Sequence, residues 1–461
     1  MVVVGSAAAD VVATRSGREF NSLKKCNKKS IATSLATATC ALLGTTGTNS
    51  VQAQEQPLWK FDTGLLYYGE TDDRVQDVSL SILARRSFVD DRLLTLGLTV
   101  DSLTGATPVG AAPMDVAQTF TRPSGNSVFS VPANAHPLDD TFLDTRYAVN
   151  ASWQQPLGRL FSGTAGVSFS NEYDYTHIGA NFGLTRDFNK RNTTVNLGVA
   201  FAQDDIDPVG GSPTPLSPML DVGDLSNRRG TESKDVVDVL LGVTQVINQN
   251  LLVQLNYSFS DASGYLNDPY RILSLVDPIS GDTIARTPAP GTEGPSHEFR
   301  FESRPDSRTK HSLFGQAKYF MDGKVLDLSY RYMTDDWDVD SHTIDAKLKF
   351  PLANDRHVEP HIRYYTQTEA DFYRASLSVG DPPPLYASSD YRLGNFDAIT
   401  AGIKYGWRTD SGHDISLRLE YYRQDGEVPG NQLIGNQLQR DMYPGLDAII
   451  FNFSYRFGIG Q

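Results

Sequence analysis

Cysteine is nearly absent. The 461-residue chain has two, Cys26 and Cys40, both close to the N-terminus. A chain exported and trimmed beyond them has no disulfide framework and no thiolate or zinc–thiolate chemistry. Long hydrophobic runs are also missing. The one extended uncharged stretch of modest apolarity, Ile31–Leu43, is about half the roughly 20 residues a helix needs to cross a bilayer. That excludes a multi-span helical transporter. Basic residues are outnumbered, 41 against 55 acidic, for a net charge of −14, which argues against nucleic acid as the main partner. The hydrophobic share of 39% is too high for a disordered chain.

The N-terminus reads as a targeting segment. Lys24, Lys25, Lys28 and Lys29 form a positive region, Ile31–Leu43 an apolar one, and Val51-Gln52-Ala53 a small-residue cleavage site. This pattern predicts a secretory signal peptide cut after Ala53. Thr37-Ala38-Thr39 before Cys40 lacks the larger apolar residue of a lipoprotein site. The expected domains are 1–53, an N-terminal extension plus signal peptide, and 54–461, a single barrel. The removed segment carries six basic and two acidic residues. The mature 408 residues then hold 35 basic and 53 acidic residues, a charge of −18, and no cysteine.

What the mature chain has is period-2 alternation. In 253–260 Val, Leu, Tyr and Phe alternate with Gln, Asn and two Ser, and Ile449, Phe451, Phe453, Tyr455, Phe457 and Ile459 form one apolar edge. Such alternation marks strands with one apolar face. Sixteen segments follow it, starting near Phe61, Val75, Arg92, Phe142, Leu160, Tyr175, Thr193, Asp235, Leu251, Lys310, Val325, Val339, His357, Phe396, Asp414 and Asp447. The connections alternate in class. Short ones include 89–91, 189–191 and 321–323; the long ones, 103–138, 203–233, 261–307, 374–390 and 423–441, all fall on one side. Aromatics gather at strand ends: Tyr67, Tyr68, Tyr332, Trp337, Tyr421 and Tyr422 at one, and Trp153, Phe188, Phe320, Phe350, Trp407 and Phe457 at the other. Only Pro360 is expected inside a strand, where it removes a ladder bond. The predicted fold is all-β: a transmembrane antiparallel up-and-down β-barrel of about 16 strands, with short periplasmic turns, long extracellular loops and two aromatic girdles. The expected location is the cell outer membrane.

Backbone in lipid has no water partner, so a spanning sheet must close on itself. Its polar face then lines the interior. Candidate lumen-facing charges are Arg85, Asp327, Arg331, Asp345, Lys347, Lys349, Glu359, Arg363, Arg418 and Glu420. Their mixed sign predicts no strong ion selectivity. His357, Glu359 and His361 share one strand face, about 7 Å apart in succession, a spacing at which two could reach one metal ion. Asp336, Asp338 and Asp340 alternate in an acidic run, and Asp204, Asp205 and Asp207 form a similar set. Either suits a divalent cation at the outer loops, bridging to lipopolysaccharide phosphates. His177, His311 and His342 are available bases for a hydrolase, but no G-x-S-x-G motif presents a serine.

Several stretches carry a family resemblance: Asp101-Ser102-Leu103-Thr104-Gly105, Gly264-Tyr265-Leu266-Asn267-Asp268-Pro269-Tyr270, Arg304-Pro305-Asp306-Ser307-Arg308 and Ala387-Ser388-Ser389-Asp390-Tyr391-Arg392-Leu393. With others along nearly the whole mature chain, they resemble the bacterial domain of unknown function 3570 family. The resemblance implies a Gram-negative outer-membrane barrel and carries over no site. The chain ends on Gln461, whereas many outer-membrane barrels end on an aromatic.

Three functions fit this reading. The first is a channel or passive barrel with a polar, charged lumen, passing a small solute. The second is a hydrolase with its site at the rim. The third is a structural or adhesin-like barrel with a plugged lumen. Expected partners are outer-membrane lipid, lipopolysaccharide and, during biogenesis, the barrel-assembly machinery, with no nucleic acid. Apart from the divalent cation no cofactor is expected.

Overall fold

Alternating apolar residues give a strand one face for lipid, and the strands here close so that every such face points outward. The computed structural model describes residues 59–71 and 74–459, so the expected leader, its expected cleavage point and Gln461 lie outside the described residues. Sixteen antiparallel strands form one closed barrel. They are β1 (Trp59–Glu70), β2 (Gln76–Ser87), β3 (Leu93–Pro108), β4 (Leu138–Pro156), β5 (Phe161–Asn171), β6 (Tyr175–Phe188), β7 (Thr193–Ile206) and β8 (Glu232–Val246). The second half comprises β9 (Leu251–Gly264), β10 (Ser307–Met321), β11 (Lys324–Asp335), β12 (Asp340–Leu352), β13 (Arg356–Gln367), β14 (Phe396–Arg408), β15 (Asp414–Gly426) and β16 (Leu446–Ile459). Each begins within four residues of the start expected from alternation. Neighbours in sequence are neighbours in the wall, and β1 closes on β16 from Trp59↔Ile459 to Glu70↔Ala448. Among the described residues no helix is long and apolar enough to cross a membrane.

The outward face is apolar at mid-strand: Leu65, Leu98, Val149, Val167, Phe182, Leu197, Leu241, Leu255, Leu328, Ile344, Ile362, Ile403 and Leu419 are all exposed. Sixteen strands about 4.8 Å apart and tilted roughly 40° give a backbone diameter of about 30 Å. Turns at one rim are short. Asp322-Gly323 joins β10 to β11 with φ of 47° and 81°, the two positive values that a type I′ hairpin requires. Pro360 interrupts the β12–β13 ladder, whose pairing skips from Lys347↔His361 to Phe350↔Val358. Pro351 lies in β12 as well, paired with His357, although its position suggested a turn.

The two rims differ in charge. At the short-turn rim Arg86 lies over Trp59 and Phe88, Arg92 over Phe88 and Trp153, and Arg186 over Phe161 and Phe188, at 4.5–5.7 Å. At the long-loop rim outward tyrosines donate to aspartates: Tyr332 to Asp340 (3.0 Å), Tyr364 to Asp397 (2.9 Å) and Tyr421 to Asp447 (2.5 Å). The outer aromatic girdle needs correction. Tyr68 and Tyr422 are the inward neighbours of outward Tyr67 and Tyr421, because successive strand residues face opposite ways. Trp337 is buried with Phe372, Tyr373 and Leu393.

The long loops, 109–137, 207–231, 265–306, 368–395 and 427–445, fold together. Loop 265–306 is the hub. It bonds to 109–137 through Ile272 N–Val109 O (2.9 Å), and to 207–231 through Met219 N–Phe299 O (3.0 Å). It bonds to 368–395 through the Ser303–Ala387 pair (2.9 and 2.8 Å), and to 427–445 through Asn436 N–Ser280 O (2.7 Å). Strands β3 and β9 stand six places apart in a ring of sixteen, so these bonds cross the barrel mouth. A core of its own supports this cap: Phe120 stacks on Phe299 at 4.6 Å and on Phe129 at 5.1 Å, with Val109, Val131, Met219, Ile272 and Phe301 around them.

Leu255 tests which face meets lipid. Leu255→Arg should cost about 2–4 kcal/mol of folding free energy in bilayers, read by urea titration. A change below 0.5 kcal/mol would place that face away from hydrocarbon.

Candidate functional site

All ten candidate lumen charges lie on the face opposite the exposed apolar residues, and most of them are joined. Along β12–β15 runs a ladder. Lys347 Nζ meets Asp345 Oδ1 at 2.6 Å, and Asp345 Oδ2 meets His361 Nε2 at 2.8 Å. His361 Nδ1 meets Glu420 Oε1 at 2.6 Å, and Arg418 bonds both Glu420 (2.9 Å) and Glu359 (3.1 Å). His361 and Glu420 are two strands apart, with Gly402 of β14 in register between them. A Cβ at Gly402 would stand 2.4 Å from Glu420 Cγ, so only glycine leaves room for this bridge. The other charges are paired more locally. Arg85 bonds Asp62 (3.1 Å), Asp327 bonds Lys318 (3.3 Å) and Gln316 (2.6 Å), and Arg331 lies 5.7 Å over Phe314. Arg363 is nearly buried beside the ladder. Lys349 faces the same side at the lower end of β12, in register with Val325.

The wall on β3–β9 is built differently. Gly97 faces Asn150, Gly166 faces Asn181, and Gly242 faces Asn256 across the strands, each asparagine lying over its glycine. Serines and threonines fill much of the rest. Salt bridges on this wall gather toward its long-loop end, at Arg146–Asp101 and Lys234–Asp204, while its middle is mostly small and neutral, which residue order alone did not reveal.

Neither candidate metal set converges. Both ring nitrogens of His361 face carboxylates, Glu359 is taken by Arg418, and His357 lies flat over Gly406. A nitrogen donating to a carboxylate has no lone pair for a metal. In the acidic run, Asp336 accepts the backbone N–H of Thr309 (2.9 Å) and Asp340 the Tyr332 hydroxyl, while Asp338 turns at φ 68°. Among the described residues no group of three His, Cys, Asp or Glu side chains could hold a metal ion.

Sequence reading missed the charge cluster inside the cap. Asp390, fully buried, bonds Arg304 (2.8 Å) and Arg392 (2.5 Å), with Arg271 at 3.8 Å. Asp268 bonds Arg271 (3.1 Å) and Arg392 (2.8 Å), and Glu302 bonds Arg304 (2.7 Å) and the Ser388 hydroxyl (2.5 Å). Three acids face three arginines, so the cluster is neutral and ties loop 265–306 to loop 368–395. Three of the stretches that carry the family resemblance meet here. That convergence was the available signal, but nothing in residue order says they touch. The cavity beside the cluster, lined by Tyr270, Arg228, Phe129 and Met219, has about 40 Å³. That is room for a few waters and too little for an organic solute.

Burial pushes the Asp390 carboxyl up, but Arg392, Arg271 and Arg304 outweigh it and hold the group well below its ordinary value. Burial raises Glu302, and Arg304 only partly offsets that. A depressed aspartate contributes stability that is complete above its unfolded value, about 3.9, and is lost as pH falls through the folded value. A raised glutamate disfavours the folded cap most when ionised, so acidification from pH 7 relieves it. The cap should thus hold or tighten from pH 7 to about 4.5 and loosen only in stronger acid. Trp337 emission, with Trp59, Trp153 and Trp407 replaced by Phe, reads this; a red shift already at pH 5 would contradict it.

His361 tests the ladder. His361→Ala leaves Asp345 and Glu420 unbridged, so reversal potentials under a KCl gradient should move toward cation preference. An unchanged potential would mean that ions do not pass this wall.

The family model described as "Protein of unknown function (DUF3570)" matches residues 32–457. No curated protein matches the chain. Among solved structures, the ferric enterobactin receptor (PfeA) from Pseudomonas aeruginosa is 10% identical with a TM-score of 0.40, over 81% of this chain and 54% of the receptor. This chain thus spans about half of that receptor's length. A bacterial polysaccharide outer membrane secretin is 10% identical with a TM-score of 0.42, over 88% of this chain and 100% of the other. BamA from Haemophilus ducreyi lacking POTRA domains 1-3 is 9% identical with a TM-score of 0.40, over 88% and 71%.

Proposed function

Because the chain belongs to the DUF3570 family of proteins of unknown function, its role must be argued from its own geometry, and we propose a capped outer-membrane channel for small polar solutes. The observation that carries this reading is the pairing of two features in one barrel. The charged ladder on β12–β15 lines the interior, and the five long loops fold across one mouth. A barrel of 16 strands is wide enough for an aqueous path, and a wall with both signs of charge paired in place gives weak ion preference. The cap sets when the path is open. In this reading the short turns are periplasmic and the long loops extracellular.

The rim chemistry supports that orientation. Arginines over aromatic rings suit a phospholipid headgroup layer. The outward aspartates, Asp340 among them, suit a leaflet of lipopolysaccharide whose phosphates are bridged by divalent cations. Export by the leader ending at Ala53 and insertion by the barrel-assembly machinery belong to the same reading.

Single-channel recording in a planar bilayer tests it. The wild-type protein should show brief, infrequent openings. Asp390→Asn removes the buried charge that three arginines share, and breaking such a cluster costs about 3–5 kcal/mol, so open probability should rise at least tenfold. A wild-type barrel that stays fully open, or two proteins that both never conduct, would overturn the capped channel.

A further inference from the structure

The β3–β9 wall carries one feature that a passive lumen does not need. Ser168 on β5, His177 on β6 and Asp204 on β7 all face inward, just below the long-loop mouth. Their side chains form a relay: Ser168 Oγ to His177 Nε2 is 3.1 Å, and His177 Nδ1 to Asp204 Oδ1 is 2.7 Å. The other aspartate oxygen accepts from Tyr175 (2.5 Å) and pairs with Lys234 (3.1 Å). Asp204 is therefore fixed as an acceptor. With its Nδ1–H donated to Asp204, His177 presents a lone pair on Nε2 to the serine hydroxyl. Burial falls along the relay: Asp204 is buried, with 6% of its side chain exposed, His177 has 16% exposed, and Ser168 is half-buried. A nucleophile open to a cavity, a less accessible base and a buried orienting acid are the geometry of acyl-transfer sites.

Local structure makes room for this. Gly179 stands opposite Ser168, and a Cβ there would lie 2.6 Å from Ser168 Oγ and 3.1 Å from His177 Nε2. Asn150 is the direct partner of Ser168 on β4, and Asn181 lies one inward step along β6 from Gly179. Asn150 leans away over Gly97, while Asn181 lies over Gly166, two residues before Ser168 on β5, and brings a carboxamide, a donor type that stabilises a tetrahedral oxyanion. Asn181 Oδ1 and Ser170 Oγ, on either side of the relay, are buried without a hydrogen-bond partner.

We propose that Ser168, His177 and Asp204 form a hydrolytic triad acting on small water-soluble carboxylic esters that enter the lumen. Ser168 Oγ attacks the ester carbonyl, and its proton moves to His177 Nε2. The C–O bond to the alcohol breaks, and His177 returns the proton to the departing oxygen. Water then attacks the acyl-serine by the same route, releasing the carboxylic acid and restoring the serine. The three residues face away from the bilayer, so the substrate is a soluble ester and not a membrane lipid.

A fluorophosphonate probe on the folded, detergent-purified full barrel tests this. Mass spectrometry should place the adduct on Ser168. Ser168→Ala should abolish labelling, and His177→Ala and Asp204→Asn should slow it by at least a hundredfold and tenfold. Hydrolysis of p-nitrophenyl acetate should fall in the same order. Each variant is checked for folding by its heat-shifted gel mobility; should Asp204→Asn not fold, Ser168→Ala and His177→Ala decide. Absence of labelling in a folded wild-type barrel, or equal labelling of folded Ser168→Ala, would overturn the triad. Cleavage of phospholipid in preference to the soluble ester would overturn the lumenal substrate.

Discussion

A strand inside hydrocarbon has no water to satisfy its N–H and C=O groups, and each unpaired group costs several kcal/mol. Hairpin order supplies partners for fifteen of the sixteen strand pairs, since consecutive strands lie side by side. It cannot supply the sixteenth. The pairing of β1 with β16, which brings Leu65 opposite Phe453 and Phe61 opposite Phe457, closes the ring and removes both edges at once. Phe61 and Phe457 stack at 5.0 Å beside it. Once the ring is closed, the alternation of every strand is forced: one face meets lipid and the other the lumen. The charged ladder, the Gly–Asn wall and the relay at Ser168 all occupy positions that this closure makes interior.

Closure also explains why the lumen can hold so many ionised groups. A lone charge at such depth on the lipid side would be expensive, whereas inside most have a partner on their own strand or one or two strands away. His361 shows how far a partner can be. It reaches Glu420 across β14 because residue 402 is glycine. The glycines of the opposite wall do a related job, letting asparagines lie flat against the sheet. One barrel thus carries a salt-bridge ladder along one wall and, on the other, a middle of mostly small neutral polar groups, so charge is unevenly spread around the lumen.

The strands were legible in the sequence because their signal is local. Alternation needs only the chain itself, and the expected starts lie within four residues of the observed ones, Phe142 against Leu138 being among the widest. Which charges face inward followed from the same parity. Facts that depend on register did not follow. Tyr67 and Tyr68 look alike as a pair of aromatics, yet one meets lipid and the other the interior. His357, Glu359 and His361 looked like a set because they share one strand, but their partners lie on other strands. His177 was visible as an available base, whereas Ser168 and Asp204 become its neighbours only when β5, β6 and β7 are in register. The cap was hardest to read, because loops 265–306 and 368–395 are joined by Asp390, Arg304 and Arg392 with no periodicity to announce it.

The cap is best understood as a small folded unit carried by the barrel. Loops of this length usually lack a core of their own, but here Phe120, Phe129, Phe299 and Phe301 make one, and the balanced arginine–carboxylate cluster makes a second anchor. These anchors respond to different conditions. The aromatic core depends on apolar burial and is indifferent to charge. The cluster depends on Asp390 remaining ionised among Arg271, Arg304 and Arg392. Losing the first would unfold the cap, while losing the second leaves loop 368–395 held to the hub by backbone bonds such as the Ser303–Ala387 pair and leaves the Phe120 core intact. A cap built in this way can loosen at one side of the mouth without dissolving, which is the property a channel cover needs and a permanent plug does not.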